Sequence, residues 1–237
     1  MTMMQNGMCK HLPMEITRRR LLALAGAGAT MALLAPGVAW SAALSPQDRA
    51  AVNRISQFLN SFRTLQGEFT QISPRGRVST GQLYIARPGR MRFEYARPNP
   101  IVIVSDGTWV AIRNRHRNKV DYFPLSKTPL RMILAEHVDL ARDAIIQSVE
   151  RRDDLLIVTL EDREKTVDGH LVLVFDERRN ALQQWIVVDG QGRRTTVTLN
   201  RIQPNVKVSA ALFRVKRPEE AAFDRQLQKR TNFGARR

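Results

Sequence analysis

Residues 81–98 read GQLYIARPGRMRFEYARP. Two alternating stretches flank Pro88-Gly89, a pair that favours a tight turn because proline fixes φ and glycine tolerates positive φ. Leu83, Ile85 and Arg87 share one face of the first stretch, and Met91, Phe93 and Tyr95 share one face of the second. The pattern predicts an antiparallel hairpin with one apolar face. Four arginines fall within its eleven central residues: Arg87, Arg90, Arg92 and Arg97. Arg90, Arg92 and Arg97 take turn or outward positions, where charge is readily solvated. Arg87 alone follows the apolar parity, so its side chain is expected to face inward.

The same period continues on both sides. Turn signals recur at Pro74-Arg75-Gly76, Asp106-Gly107, Asp168-Gly169 and Asp189-Gly190. Strand-like runs occupy 65–72, 78–87, 91–96, 101–105, 108–113, 119–123, 144–150, 154–161, 170–176, 181–189 and 194–202, with a weaker run at 212–215. Short strands at this spacing predict a strongly curved antiparallel sheet or barrel. Before them, Ser45-Pro46-Gln47-Asp48 places serine at a helix N-cap and proline at the first helical position. Val52, Ile55, Leu59 and Phe62 then recur at steps of three and four, predicting an amphipathic helix that ends near Ser61. Thr128-Pro129 opens a second helical run reaching Glu136, and a further turn is expected over Val138 to Arg142. The body, residues 44–216, reads as one domain.

Four strand runs are apolar at nearly every position: Ile101 to Val104, Leu155 to Val158, Leu171 to Phe175 and Trp185 to Val188. A sheet wet on one side would alternate more clearly. Both faces therefore need shielding by curvature, helices or an apolar ligand. An apolar concavity under a helical lid and a filled core are both compatible with this pattern.

The 237 residues carry a net charge of +16. Arg18-Arg19-Arg20, an apolar run from Leu21 to Leu34, and Ala39-Trp40-Ser41-Ala42-Ala43 read as a secretory signal, residues 1–41, with cleavage after Ser41 or Ala43. The arginine triplet fits the general and the twin-arginine routes alike, and Met14 is an alternative start. Cleavage after Ser41 leaves 34 basic and 21 acidic residues, so the +13 that remains belongs to the exported protein. The only cysteine, Cys9, leaves with the signal, which excludes thiol chemistry and thiolate metal sites in the exported chain. Residues 217–237 form a basic, mixed-charge tail, read as a frayed helix or as disordered.

No histidine among His116, His137 and His170 has metal-ligand spacing, and no P-loop, G-x-G-x-x-G or G-x-S-x-G pattern occurs. Ser105-Asp106-Gly107 reads as a hairpin turn. The chain is expected not to be an enzyme and to use no cofactor or metal. Its densest basic stretch, Arg113 to Lys119 with Arg115 and Arg117, reads as a hairpin tip suited to a solvated loop or to contact with an anionic surface. The export signal and the lack of interleaved aromatics argue against nucleic acid.

Phe69-Thr70-Gln71, Gly81-Gln82-Leu83-Tyr84, Arg87-Pro88-Gly89 through Tyr95, Pro98, Ile103 to Gly107 and Thr128-Pro129-Leu130 stand in an order that resembles the periplasmic outer-membrane lipoprotein carrier family, LolA. The resemblance is carried by residues 45–140; the second half matches only as a strand-rich pattern. It implies a mainly β fold with some α: an unclosed antiparallel half-barrel capped by an N-terminal helix and short lid helices. It further implies a monomeric carrier that receives acylated lipoproteins from a LolCDE-type transporter and passes them to a LolB-type receptor. In such a carrier Arg87 bonds to the lid. The acyl chains meet Leu83, Ile85, Met91, Phe93 and Tyr95, the helix stripe Val52, Ile55, Leu59 and Phe62, and the lid residues Leu130, Ile133 and Leu134. Methionine at position 91 departs from the family's usual phenylalanine. A lipid-reading sensor or scaffold, or a carrier of free lipids, would use the same fold.

Overall fold

A computed structural model describes residues 44–117 and 119–216. The expected signal segment 1–41, its cleavage point and the tail 217–237 lie outside the described residues. Helix α1 spans Pro46–Asn60 and starts as its sequence dictates: the Ser45 hydroxyl accepts from the Asp48 N–H at 3.1 Å and donates to the Asp48 carboxylate at 2.7 Å. Its buried face is Ala51, Val52, Ile55, Ser56 and Leu59.

Eleven antiparallel strands follow: β1 (Thr64–Ile72), β2 (Val78–Ala86), β3 (Arg90–Tyr95), β4 (Ile101–Asp106), β5 (Trp109–Asn114), β6 (Lys119–Pro124), β7 (Ala144–Arg152), β8 (Leu155–Asp162), β9 (Gly169–Asp176), β10 (Ala181–Asp189) and β11 (Arg194–Pro204). They form one sheet in the order β6-β5-β4-β3-β2-β1-β11-β10-β9-β8-β7. The β1–β11 pairing joins two meanders, and the ends of the order, β6 and β7, are not paired with each other. The sheet is thus an open half-barrel. Between β6 and β7 the chain makes a 3₁₀ turn (Leu125–Lys127) and two short helices, α2 (Arg131–Leu134) and α3 (Leu140–Asp143). This segment links one free edge of the sheet to the other, and it forms the lid.

Parity decides what lies beneath the lid. The register pairs Leu83 with Phe93, Ile85 with Met91, and Phe93 with Ile103. In the other meander it aligns Leu173 with both Val158 and Trp185. These side chains join α1 and the lid in one core. The outward residues of the doubly apolar strands are shielded separately. The 3₁₀ turn Ala210–Phe213 packs on β3 and β4, where Val102 and Val104 are buried, while Val172, Ile186 and Val188 form a small cluster of their own with Ile157.

Three expectations change in detail. The run at 212–215 is not a strand: Ser209 accepts from the Ala211 N–H and starts a 3₁₀ turn. Thr128 does not cap a helix; its hydroxyl donates back to the Leu125 carbonyl at 2.9 Å, so α2 begins only at Arg131 and ends at Leu134, short of Glu136. The second lid turn begins at Leu140, where Asp139 supplies the cap, and not at Val138.

Candidate functional site

The apolar residues expected to receive a ligand come together on the inner face. Leu83, Ile85, Met91, Phe93, Tyr95, Val52, Ile55, Leu59, Phe62, Ile133 and Leu134 are buried in one cluster, and half-buried Leu130 packs against it. Phe69 meets Phe93 and Tyr95 edge-on, with ring centroids 4.8 and 5.1 Å apart, and Phe93 meets Trp185 at 6.1 Å. The Tyr95 hydroxyl donates to Gln71 Oε1 at 2.7 Å, and burial pushes its pKa up to about 12, so it stays a neutral donor. Val52, Ile55 and Leu83 have 0% exposure. The interior is therefore filled by its own side chains while the lid is down.

Arg87 follows β2 and is only 4% exposed. Its Nη2 donates to the Ile133 carbonyl at 3.1 Å, its guanidinium lies 4.8 Å from the Phe62 ring centroid, and its buried Nε has no partner. Burial, helped by the charge of Arg63, lowers its pKa to about 10, so it remains charged at neutral pH. Two residues on, the Gly89 N–H donates to the Leu134 carbonyl at 2.8 Å. The β2–β3 turn thus holds the end of α2 by two adjacent carbonyls, which a helix this short leaves without intrahelical donors. Ser105, fully buried, supports the turn by donating to the Gly89 carbonyl at 2.8 Å, so Ser105-Asp106-Gly107 is turn architecture.

Other fasteners carry no sequence signal beyond being polar residues near helix ends. Asn60, last in α1, donates to the Val138 carbonyl at 2.8 Å and accepts from its N–H at 2.9 Å. Ser56 accepts from the Leu140 N–H at 3.1 Å. On the far meander, Arg131 donates to Asp162 and, at 3.0 Å, to Glu164. The Asp162 side chain is 2% exposed and also accepts from the Thr166 N–H at 2.8 Å and hydroxyl at 2.6 Å. Burial acts to raise its pKa, but the Thr166 and Arg131 bonds outweigh it, and the net direction is down.

The basic stretch forms the β5–β6 hairpin tip. Two of its cations are committed within the fold: Arg115 pairs with Glu94, and Lys119 with Asp121 at 3.1 Å. Among the described residues, exposed Arg113 and Arg117 pair with no carboxylate. Arg92, Arg113, Arg115 and Arg214 line a cavity of about 350 Å³ over Val102, Val104 and Ala111 on the outer face.

An open antiparallel sheet with an apolar inner face, closed by a helix and a lid crossing between its free edges, defines a lidded half-barrel. The chain belongs to the LolA family: residues 60–216 match the family described as "Outer membrane lipoprotein carrier protein LolA". The outer-membrane lipoprotein carrier protein of Leptothrix cholodnii is 28% identical over 88% of this chain and 98% of its own length. That of Ralstonia nicotianae is 26% identical over 82% and 96%. An uncharacterized protein of Rickettsia prowazekii is 24% identical over 70% and 78%. Among solved structures, a LolA superfamily protein from Nitrosomonas europaea aligns with a TM-score of 0.44 at 10% identity, covering 73% of this chain and 99% of that one.

Proposed function

We propose that residues 44–216 form a periplasmic carrier that shelters the acyl chains of lipoproteins between the inner and outer membranes. One observation carries the reading: an interior built of apolar side chains is closed by a segment that packs on it through Met132, Ile133, Leu134, Val138 and Leu140 and is fastened by a few polar contacts, among them Arg87 to Ile133. Each methylene kept from water is worth roughly 0.8 kcal/mol, so acyl chains offset the burial that α1 and lid side chains lose when they are displaced from the inner face. A lid hydrogen bond contributes roughly 0.5–1.5 kcal/mol, enough to favour closure and little enough for cargo to overcome. Release then follows when the inner-face residues return to their own core.

On this reading residues 1–41 direct export and are removed. A membrane transporter of the LolCDE type loads the cargo, a LolB-type receptor takes it, and the carrier acts as a monomer without a cofactor. Arg113 and Arg117, at the exposed hairpin tip, make transient contact with anionic headgroups. Lysine or arginine near such a surface contributes on the order of 1 kcal/mol each.

The test is a photo-crosslinking residue at Met91, which is 2% exposed under the lid. Acylated lipoproteins in the adduct from intact cells are the expected result. Phospholipid alone would replace the proposal with a free-lipid carrier, and one recurrent non-acylated protein would replace it with a sensor or scaffold.

A further inference from the structure

The lid is fastened in both halves of the sheet, and the two fasteners differ in kind. On the β2–β3 turn, Arg87 and Gly89 donate to the neutral carbonyls of Ile133 and Leu134; a buried Nε without a partner is common to Arg87 and Arg131. At the end of β8, Asp162 offers a buried carboxylate to Arg131, the first residue of α2, while both Thr166 donors hold that carboxylate in place. The neighbouring Lys127 Nζ, in the turn that leads into α2, reaches the Thr166 carbonyl at 3.4 Å. A hydrogen bond with an ionised donor or acceptor is roughly twice as strong as a neutral one, which covers both arginines. Only the clasp pairs opposite charges, and removing one partner of a buried pair leaves an uncompensated charge.

We propose that the lid pivots on the Arg131–Asp162 clasp and opens from the Arg87 side, with Asp162 a positioning residue that sets how readily it opens. The purpose of such a pivot rests on the carrier function proposed for the chain, but its existence does not. In the first stage of opening the bonds to Ile133 and Leu134 part while Arg131 stays on Asp162, so the α2 end of the lid swings without losing its place. Removing the carboxylate leaves the lid on the Arg87 and Gly89 bonds and on the Asn60 and Ser56 tethers of Val138 and Leu140 alone, so those tethers open more readily.

Residue-resolved hydrogen exchange on the purified protein tests this, with Asp162→Asn, Arg131→Met, the double variant and Arg87→Leu compared with the parent. The amides of Val138 and Leu140 should exchange about tenfold or more faster in Asp162→Asn and in Arg131→Met. The double variant should exchange no faster than Asp162→Asn alone, because the two residues act as one clasp, and Arg131→Lys should restore part of the protection. Arg87→Leu should accelerate Gly89 while leaving Val138 and Leu140 within about twofold of the parent. Amides of β9 serve as the folding reference. If Asp162→Asn does not fold, Arg131→Met carries the test, since its side chain is partly solvent-exposed.

Unchanged exchange at Val138 and Leu140 in both single variants overturns the pivot. So does strict additivity in the double variant, which would reduce Asp162 to a brace for its own loop. Adding a fluorescent palmitoyl peptide separates the two claims. Faster lid exchange with no uptake by any variant keeps the pivot and sinks the carrier function; uptake by the parent with no effect of Asp162→Asn on the lid does the reverse.

Discussion

Asn60 and Val138 form a reciprocal pair: the amide of the one donates to the carbonyl of the other at 2.8 Å, and its oxygen accepts the returning N–H at 2.9 Å. A single side chain at the end of α1 thereby does for the lid backbone what a neighbouring strand would do. Val138 is 2% exposed, so neither backbone group has a ready substitute in water. Asn60→Ala should cost about 2 kcal/mol in urea unfolding, and Asn60→Asp, whose second oxygen would face the Val138 carbonyl without a proton between them, at least as much.

Replacing Arg87 by leucine should leave the fold intact. The change removes one hydrogen bond and the stacking on Phe62, but it also removes a buried cation with an unpartnered Nε. These terms nearly cancel, so stability by urea unfolding should change by no more than about 1 kcal/mol. Loading and release of a palmitoylated cargo should nonetheless change, because the Arg87–Ile133 bond must break each time the lid opens and re-form each time it closes. Normal cargo cycling in this variant would remove Arg87 from the lid mechanism.

The closed lid should weaken in acid. Asp162 has its pKa depressed in the folded state, so its contribution is fully present above the ordinary aspartate value of about 4 and is lost as pH falls through the depressed value. The basic side chains around it are Arg131, Lys127 and Lys165, and Glu161, Glu164 and Asp168 are the neighbouring carboxylates. Comparing urea midpoints at a mildly acidic and a strongly acidic pH for the parent and Asp162→Asn isolates the Asp162 share. The parent should lose more stability than the variant, and equal losses would assign the acid response to the other carboxylates. Arg87, at about 10, plays no part near neutrality.

Gly81→Ala should be costly although its position looks like ordinary strand. A Cβ there would lie 2.2 Å from the Glu94 carbonyl oxygen and 2.7 Å from the Phe69 ring, and the backbone oxygen cannot rotate away. The expected loss is about 1–3 kcal/mol in chemical unfolding, with Phe69 displaced from its edge-on packing on Phe93 and Tyr95. An unchanged midpoint would mean that β2 and β3 separate more freely at this point than their pairing implies.

Legibility differs by element for identifiable reasons. Each of the eleven strand-like runs between turn residues coincides with one of the eleven strands, and the α1 stripe lies on its buried face. Arg87 is legible because parity alone points it inward. Thr128 is not, because the same hydroxyl that caps a following helix can close a preceding turn, and only the position of Leu125 decides between them. The run at 212–215 reads as a strand because a few apolar residues look alike in a strand and in a 3₁₀ turn. Arg115 reads as open to solvent or an anionic surface because its partner Glu94 lies on another strand, whereas Lys119 and Asp121, two apart on β6, share a face by the strand period alone.

Local physics lies behind everything the sequence determined by itself: period-two patterning, turn chemistry, helix capping and the inward parity of one arginine all depend on residues within a few positions of each other. What the tertiary structure alone decided is how the lid is held. Arg131 and Asp162 are separated by 31 residues, Asn60 and Val138 by 78, and neither pair leaves a trace in composition or period. Their bonds exist because an open sheet leaves two free edges, the chain must cross between them, and the crossing brings its backbone within reach of polar groups from α1, the β2–β3 turn and the end of β8.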